Sequence, residues 1–204
     1  GPNGGSAAQY FTGKFDGHVF TPNETETKWI DYGPDDYAGI TWSNTGNRKI
    51  FLGWMSNWLY ANVVPTEKWR SATTIARDLS IEKAGGKYLV RSVPSPEISS
   101  LYVKNYTAKN VKVKNVDITA KAGQLTGAAE LKFDSDELSS FNIVLSNKNG
   151  EKVVIGYDKA ANNYFIDRSA SGNTGFHKDF INRSVAPRLS TDKKSDITLV
   201  IDKA

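Results

Sequence analysis

Arg48-Lys49-Ile50-Phe51-Leu52-Gly53-Trp54 is the stretch on which the fold turns. After two basic residues it runs apolar without a break, the pattern of a strand covered on both faces. It continues directly into Met55-Ser56-Asn57-Trp58-Leu59-Tyr60, polar and aromatic together. A strand that ends this way can present an indole face at the end of a sheet. Sugar rings pack their apolar C–H faces on aromatics, while Asn and Ser bond the hydroxyls. Core packing is the commoner fate of any single Trp, and both readings stay open here. With one Trp in a strand and the other in the loop after it, Trp54 and Trp58 are expected in opposite environments.

Outward from that strand, short apolar runs alternate with turn signals. Upstream, residues 37–42 (Tyr-Ala-Gly-Ile-Thr-Trp) break at Asn44-Thr45-Gly46-Asn47. Earlier still, Gln9-Tyr10-Phe11-Thr12-Gly13 precedes Asp16-Gly17, a hairpin-type dipeptide. Downstream, residues 69–79 and 87–93 supply two more strands. Such spacing without helical periodicity argues for an antiparallel meander, and an aromatic-rich four-stranded meander reads as a propeller blade.

Composition changes near Ser92-Val93-Pro94-Ser95-Pro96. All five Trp precede it, and half of the 26 basic residues are Lys at or beyond Lys104. Prolines there interrupt regular structure, so the chain divides into 1–95, a linker with a short helix at 96–103, and 104–204. Ser95 is expected to cap that helix with Pro96 in its first position. In the second half Val111, Val113 and Val116 alternate with polar residues, as do Ala129, Leu131 and Phe133. Residues 141–145 and 153–157 flank Asn147-Lys148-Asn149-Gly150, a strong hairpin signal, and 164–166 and 197–201 complete a set of half-buried strands. The expectation is all-β: a propeller blade followed by a β-sandwich.

Composition narrows the chemistry. A net charge of +4, spread along 204 residues and without a recognition motif, gives no reason to expect nucleic acid as a partner. No apolar run approaches a membrane span. Zero Cys excludes disulfides, thiolate zinc sites and a Cys nucleophile. His18 and His177 lie in polar, Gly-containing stretches without a second His at metal spacing, and both are expected to be exposed. No P-loop, dinucleotide fingerprint or serine elbow occurs, so neither metal nor cofactor is expected. Asp35-Asp36 and Asp134-Ser135-Asp136-Glu137 read as turn formers and solvated charge. Sequons at Asn23, Asn105 and Asn182 matter only in a eukaryotic secretory protein.

An ordered set of motifs makes the reading specific. Trp54-Met55-Ser56-Asn57-Trp58, Val64-Pro65-Thr66, Trp69-Arg70-Ser71-Ala72 and Arg77-Asp78-Leu79-Ser80 together resemble the fifth blade of glycoside hydrolase family 32, the β-fructosidases. Residues 4–11, Phe15-Asp16-Gly17 and 31–38 upstream resemble the same family, as do 164–169 and 199–202 downstream. The Trp-Met-Ser-Asn-Trp form is most similar to its exo-acting levanase and inulinase branch.

That resemblance implies the last part of a five-bladed β-propeller, about the fifth blade, followed by a truncated β-sandwich. It implies retaining hydrolysis of terminal β-fructofuranosyl bonds in levan, inulin or sucrose, by a carboxylate nucleophile and an acid/base roughly 5 Å apart. The family's Asn-Asp-Pro-Asn, Arg-Asp-Pro and Glu-Cys-Pro type motifs are not in this sequence. Arg77-Asp78-Leu79 lacks the Pro and stands in the wrong blade. No catalytic residue is therefore assigned, and the chain is expected to be an inactive C-terminal portion. Both ends are expected to cut through family elements, so completing the fold would require missing blades or a neighbouring chain. Trp54 is the implied indole of the fructosyl pocket, Tyr37 and Asp31 match positions near it, and Asn57 and Trp58 shape its rim. Arg70 and Arg77 match the family pattern, although pairing with acidic neighbours explains both. The family implies a secreted or periplasmic enzyme. A non-catalytic carbohydrate-binding or scaffolding module is the alternative; an arabinanase-type propeller is disfavoured by the attached sandwich.

Overall fold

The computed structural model describes all residues except 113, 125–126 and 203–204. The chain forms two compact units, Gly1–Ser95 with Leu138–Asp192, and Pro96–Glu137 with Lys193–Ala204. The architecture is all-β.

The first unit opens with β1 (Gln9–Tyr10), which pairs β4 (Lys28–Trp29), and the hairpin of β2 (Gly13–Phe15) and β3 (Phe20–Pro22). The Asp16 carboxylate closes that hairpin by accepting from the amides of His18 and Val19, at 2.8 and 2.7 Å. The blade follows. β5 (Tyr37–Thr41), β6 (Ile50–Met55), β8 (Arg77–Ala84) and β9 (Lys87–Pro94) run antiparallel in that order, and β7 (Ala72–Thr73) also pairs with β6. The meander is thus the one the turn signals predict, centred on the continuous apolar strand. Residues 69–79 do not form one strand, because the chain leaves the sheet between β7 and β8 and returns to opposite positions on β6.

The same unit holds a four-stranded antiparallel sheet of β11 (Phe141–Ser146), β12 (Lys152–Asp158), β13 (Asn163–Ala170) and β14 (Ser184–Pro187). The turn between β11 and β12 uses Asn147, whose side-chain oxygen accepts from the amides of Asn149 and Glu151. Asn3 links the chain start to β14, donating to the Val185 carbonyl and accepting from its amide. Phe51, Tyr60, Ala61, Leu138 and Tyr157 are the buried apolar residues among those described.

The second unit carries β10 (Ala129–Ser135), paired antiparallel with β15 (Ser195–Ile201), and a short α1 (Thr119–Ala122). Its 3-10 helix, Pro96–Leu101, stands where the proline signal predicts a helix. Ser95 does something other than cap it: buried, it donates its hydroxyl to Asp78 at 2.6 Å. A second 3-10 helix, Lys178–Ile181 in the first unit, carries no signal that periodicity would register. The alternation at 111–116 does not make a strand. Val111 and Val116 are exposed and irregular, and Val113 lies outside the described residues. Alternation marks a chain able to pair, and pairing also requires a partner edge to take up the backbone groups.

Candidate functional site

β6 ends beside an open cleft of about 530 Å³ whose wall includes Ser6, Gln9, Trp29, Tyr37, Trp58 and Leu59. Of the five expected site residues, Tyr37, Asn57 and Trp58 line it, and Trp54 packs against Trp58. Tyr37 sits opposite Trp54 in the β5–β6 register, next to a bulge that puts Ala38 at φ 49°. A β-bulge of this kind re-aims the side chains around it. The ring centroids of Trp54 and Trp58 lie 5.0 Å apart, tilted by 55°. The two indoles are therefore in contact, although one is on the strand and the other in the turn after it. The chain turns back immediately after β6, so a four-residue separation becomes a contact. Trp58 is 63% exposed and forms the wall; Trp54 is half-buried behind it.

Asn57 lies beneath the cleft, fully buried. Its amide donates to the Pro34 carbonyl at 2.8 Å and accepts from the Leu59 amide at 2.9 Å. Both ends of that side chain are thus spent on holding backbone. Gly5 presses on it from above at φ 65°, where a Cβ would lie 2.2 Å from the Asn57 oxygen. Only glycine meets both conditions. Asp31 is not part of the cleft wall; it accepts from the Gly33 amide and pairs with Arg77 Nη1 at 3.3 Å.

The residues that fix this region are the ones composition hides. Asp35 and Asp36, expected to be solvated, are both engaged in ion pairs. Asp36 is 2% exposed and accepts from Arg77, which also lies 5.1 Å from the centre of the Phe51 ring. Burial pushes the Asp36 carboxyl above the usual aspartate range, and Arg77 opposes that shift. Its other oxygen, buried without a hydrogen-bond partner, faces Gly53, where a Cβ would lie 1.8 Å away. Asp35 accepts from the Tyr60 hydroxyl and from Arg168 Nη1, the latter at 2.6 Å. Burial, followed by Asp35, pushes the Tyr60 hydroxyl far above its usual range.

Arg77 fulfils the expectation of an acidic partner, whereas Arg70 donates to the Val64 carbonyl at 3.1 Å. His18 is exposed as expected. His177 is not: it packs 5.9 Å from Tyr60, and its Nδ1 accepts from the Asp179 amide at the start of the second 3-10 helix. No group of three potential ligands is placed to hold a metal ion among the described residues. Nor is any described helix long and apolar enough to cross a membrane.

Paired indoles and a tyrosine beside an open cleft, braced by Asp–Arg pairs, stand at the end of the β-meander. The sequence comparisons give the family. The model for the glycosyl hydrolases family 32 N-terminal domain matches residues 2–92, and that for the glycosyl hydrolases family 32 C terminal matches residues 97–204. This chain belongs to glycoside hydrolase family 32, a propeller domain followed by a β-sandwich.

A levanase of Bacillus subtilis is 34% identical over 212 residues, covering 99% of this chain and 31% of the levanase. An extracellular exo-inulinase of Aspergillus awamori is 33% identical over 218 residues, covering 98% of this chain and 40% of the inulinase. The crystal structure of the A. awamori exo-inulinase superposes with a TM-score of 0.75 at 28% identity, over 98% of this chain and 43% of that one. A Schwanniomyces occidentalis fructofuranosidase variant, solved with fructosylnystose, gives 0.76 at 26% identity, over 100% of this chain and 44% of that one. The chain thus spans about a third to just under half the length of these relatives.

Proposed function

We propose that these 204 residues are part of a secreted retaining β-fructosidase, and that they supply one wall of the pocket that takes a terminal fructofuranosyl unit of a fructan or sucrose. The observation that carries this reading is that Trp58, with Trp54 packed on its ring, lines the cleft together with Tyr37. In this reading Trp58 contacts the sugar face, Trp54 backs it, and Tyr37 adds a hydroxyl. Asn57 and Asp31 act beneath, by holding the 31–36 and 57–60 segments. Residues 1–95 then belong to the propeller and 104–204 to the sandwich.

The chemistry itself needs two carboxylates flanking the bond. None of the family's carboxylate motifs occurs in this sequence, so the nucleophile and the acid/base come from elsewhere in the enzyme. Relatives named as extracellular exo-inulinases support secretion.

The test is hydrolysis of levan, inulin and sucrose by the 204-residue chain and by the enzyme containing it. Fructose release by the larger enzyme and none by the chain alone is expected. Release by the isolated chain would overturn the assignment of the carboxylates elsewhere. A non-catalytic sugar-binding module is favoured instead if neither releases fructose while the chain alone binds fructo-oligosaccharide.

A further inference from the structure

Arg168 lies on β13, in the sheet formed by β11 to β14, yet its side chain is spent on the segments that build the cleft. Nη1 donates to Asp35 at 2.6 Å, across 133 residues of sequence, and Nη2 donates to the Tyr60 hydroxyl at 2.9 Å. Nε donates to the Phe180 carbonyl at 2.6 Å, and the guanidinium stacks 3.9 Å from the centre of the Phe180 ring. Tyr60 in turn donates to Asp35, so Arg168, Asp35 and Tyr60 form a closed triangle. Tyr60 is 3% exposed and the Arg168 side chain 20%.

The two acceptors stand on different cleft segments. Asp35 is two residues before Tyr37, and Tyr60 two residues after Trp58. The segments are also joined by Asn57 and the Pro34 carbonyl. A guanidinium is a rigid fork, so one Arg fixes the separation of two acceptors where a Lys ammonium would hold a single point. Resting on the fructosidase reading above, we propose that Arg168 is a positioning residue: from the second sheet it sets the distance between Tyr37 and Trp58, and so tunes the pocket for the fructosyl unit. Misplacing a substrate-contacting group by about 1 Å is enough to weaken binding or turnover strongly.

The test uses the enzyme that contains these residues. Arg168→Met and Arg168→Lys are compared with Leu145→Ala, a substitution on β11 of the same sheet, opposite Val153 and outside the cleft lining. For a fructo-oligosaccharide, KM is expected to rise roughly tenfold in both Arg168 variants. Leu145→Ala is expected to lower Tm at least as much as Arg168→Lys with KM unchanged. Crystal structures of the wild type and Arg168→Met read the Tyr37–Trp58 separation directly, and an altered separation is expected. An unchanged separation, or a KM that moves no more in the Arg168 variants than in Leu145→Ala, overturns the proposal. If the wild type releases no fructose, the fructosidase reading fails by itself, and the separation still decides whether Arg168 positions the cleft.

Discussion

Arg77 on β8 donates to a carboxylate of Asp36 that is 2% exposed, and this pair packs against Phe51 and Gly53 of the strand that carries Trp54. Removing one partner of such a pair leaves the other charge buried without compensation, which costs far more than the pair contributes. Arg77→Met should destabilise the protein by about 3–5 kcal/mol. Asp36→Asn should cost less, because the amide oxygen still accepts from Arg77. Urea unfolding followed by far-ultraviolet dichroism measures both.

Gly53 tests the same packing from the other side. A methyl group there would fall on the Asp36 oxygen at 1.8 Å, in the middle of β6, where neither partner can withdraw. Gly53→Ala should lower stability by about 1–3 kcal/mol, the usual cost of overpacking. Gly175→Ala, with open space at the Cβ position, should change stability by less than about 0.5 kcal/mol.

Trp58 should behave in the opposite way. At 63% exposed it carries little of the fold, so Trp58→Ala should leave the unfolding midpoint nearly unchanged. If it forms the sugar wall, the same substitution should weaken fructo-oligosaccharide binding by roughly tenfold, equivalent to about 1.4 kcal/mol. Titration calorimetry on the assembled enzyme measures this. Equal affinities in the two proteins would remove Trp58 from the site.

Asp78 gives a pH signature. Its carboxylate accepts from Arg48 Nε and Nη2, both at 2.8 Å, and from Ser95. The Arg48 contact, followed by Ser95, holds its pKa below the ordinary 3.8. The unfolded chain then takes up the proton first as pH falls. The stabilisation is complete above the unfolded value and is lost as pH drops through the lower, folded one. Asp78→Asn should therefore lose less stability than the wild type as pH falls below the ordinary 3.8, read from thermal melts across that range.

The parts of the fold legible in sequence are those governed by neighbours along the chain. Continuous apolarity marked β6, and Asn and Gly marked the hairpin between β11 and β12, because both act within a few residues. The aromatic cluster after β6 pointed to the cleft for the same reason. What escaped were relationships between distant residues. Asp35-Asp36 looks like a solvated turn until Arg77 and Arg168 arrive from 41 and 133 residues away. No local pattern distinguishes a free aspartate from a buried one whose partner sits on another strand. Ser95 likewise has the chemistry of a helix cap, and only the β8–β9 pairing shows Asp78 within its reach. The contact between Trp54 and Trp58 is not legible either, because it depends on how sharply the chain turns after β6.

The geometry of those two indoles has an optical consequence. Chromophores 5.0 Å apart and tilted by 55° couple their electronic transitions, which splits the tryptophan dichroism band into a pair of opposite sign. The amplitude of such a couplet falls steeply as the rings separate or become parallel. The site therefore contains its own reporter, one that would register a sugar shifting Trp58 against Trp54, or a displaced Arg168, without any label being attached.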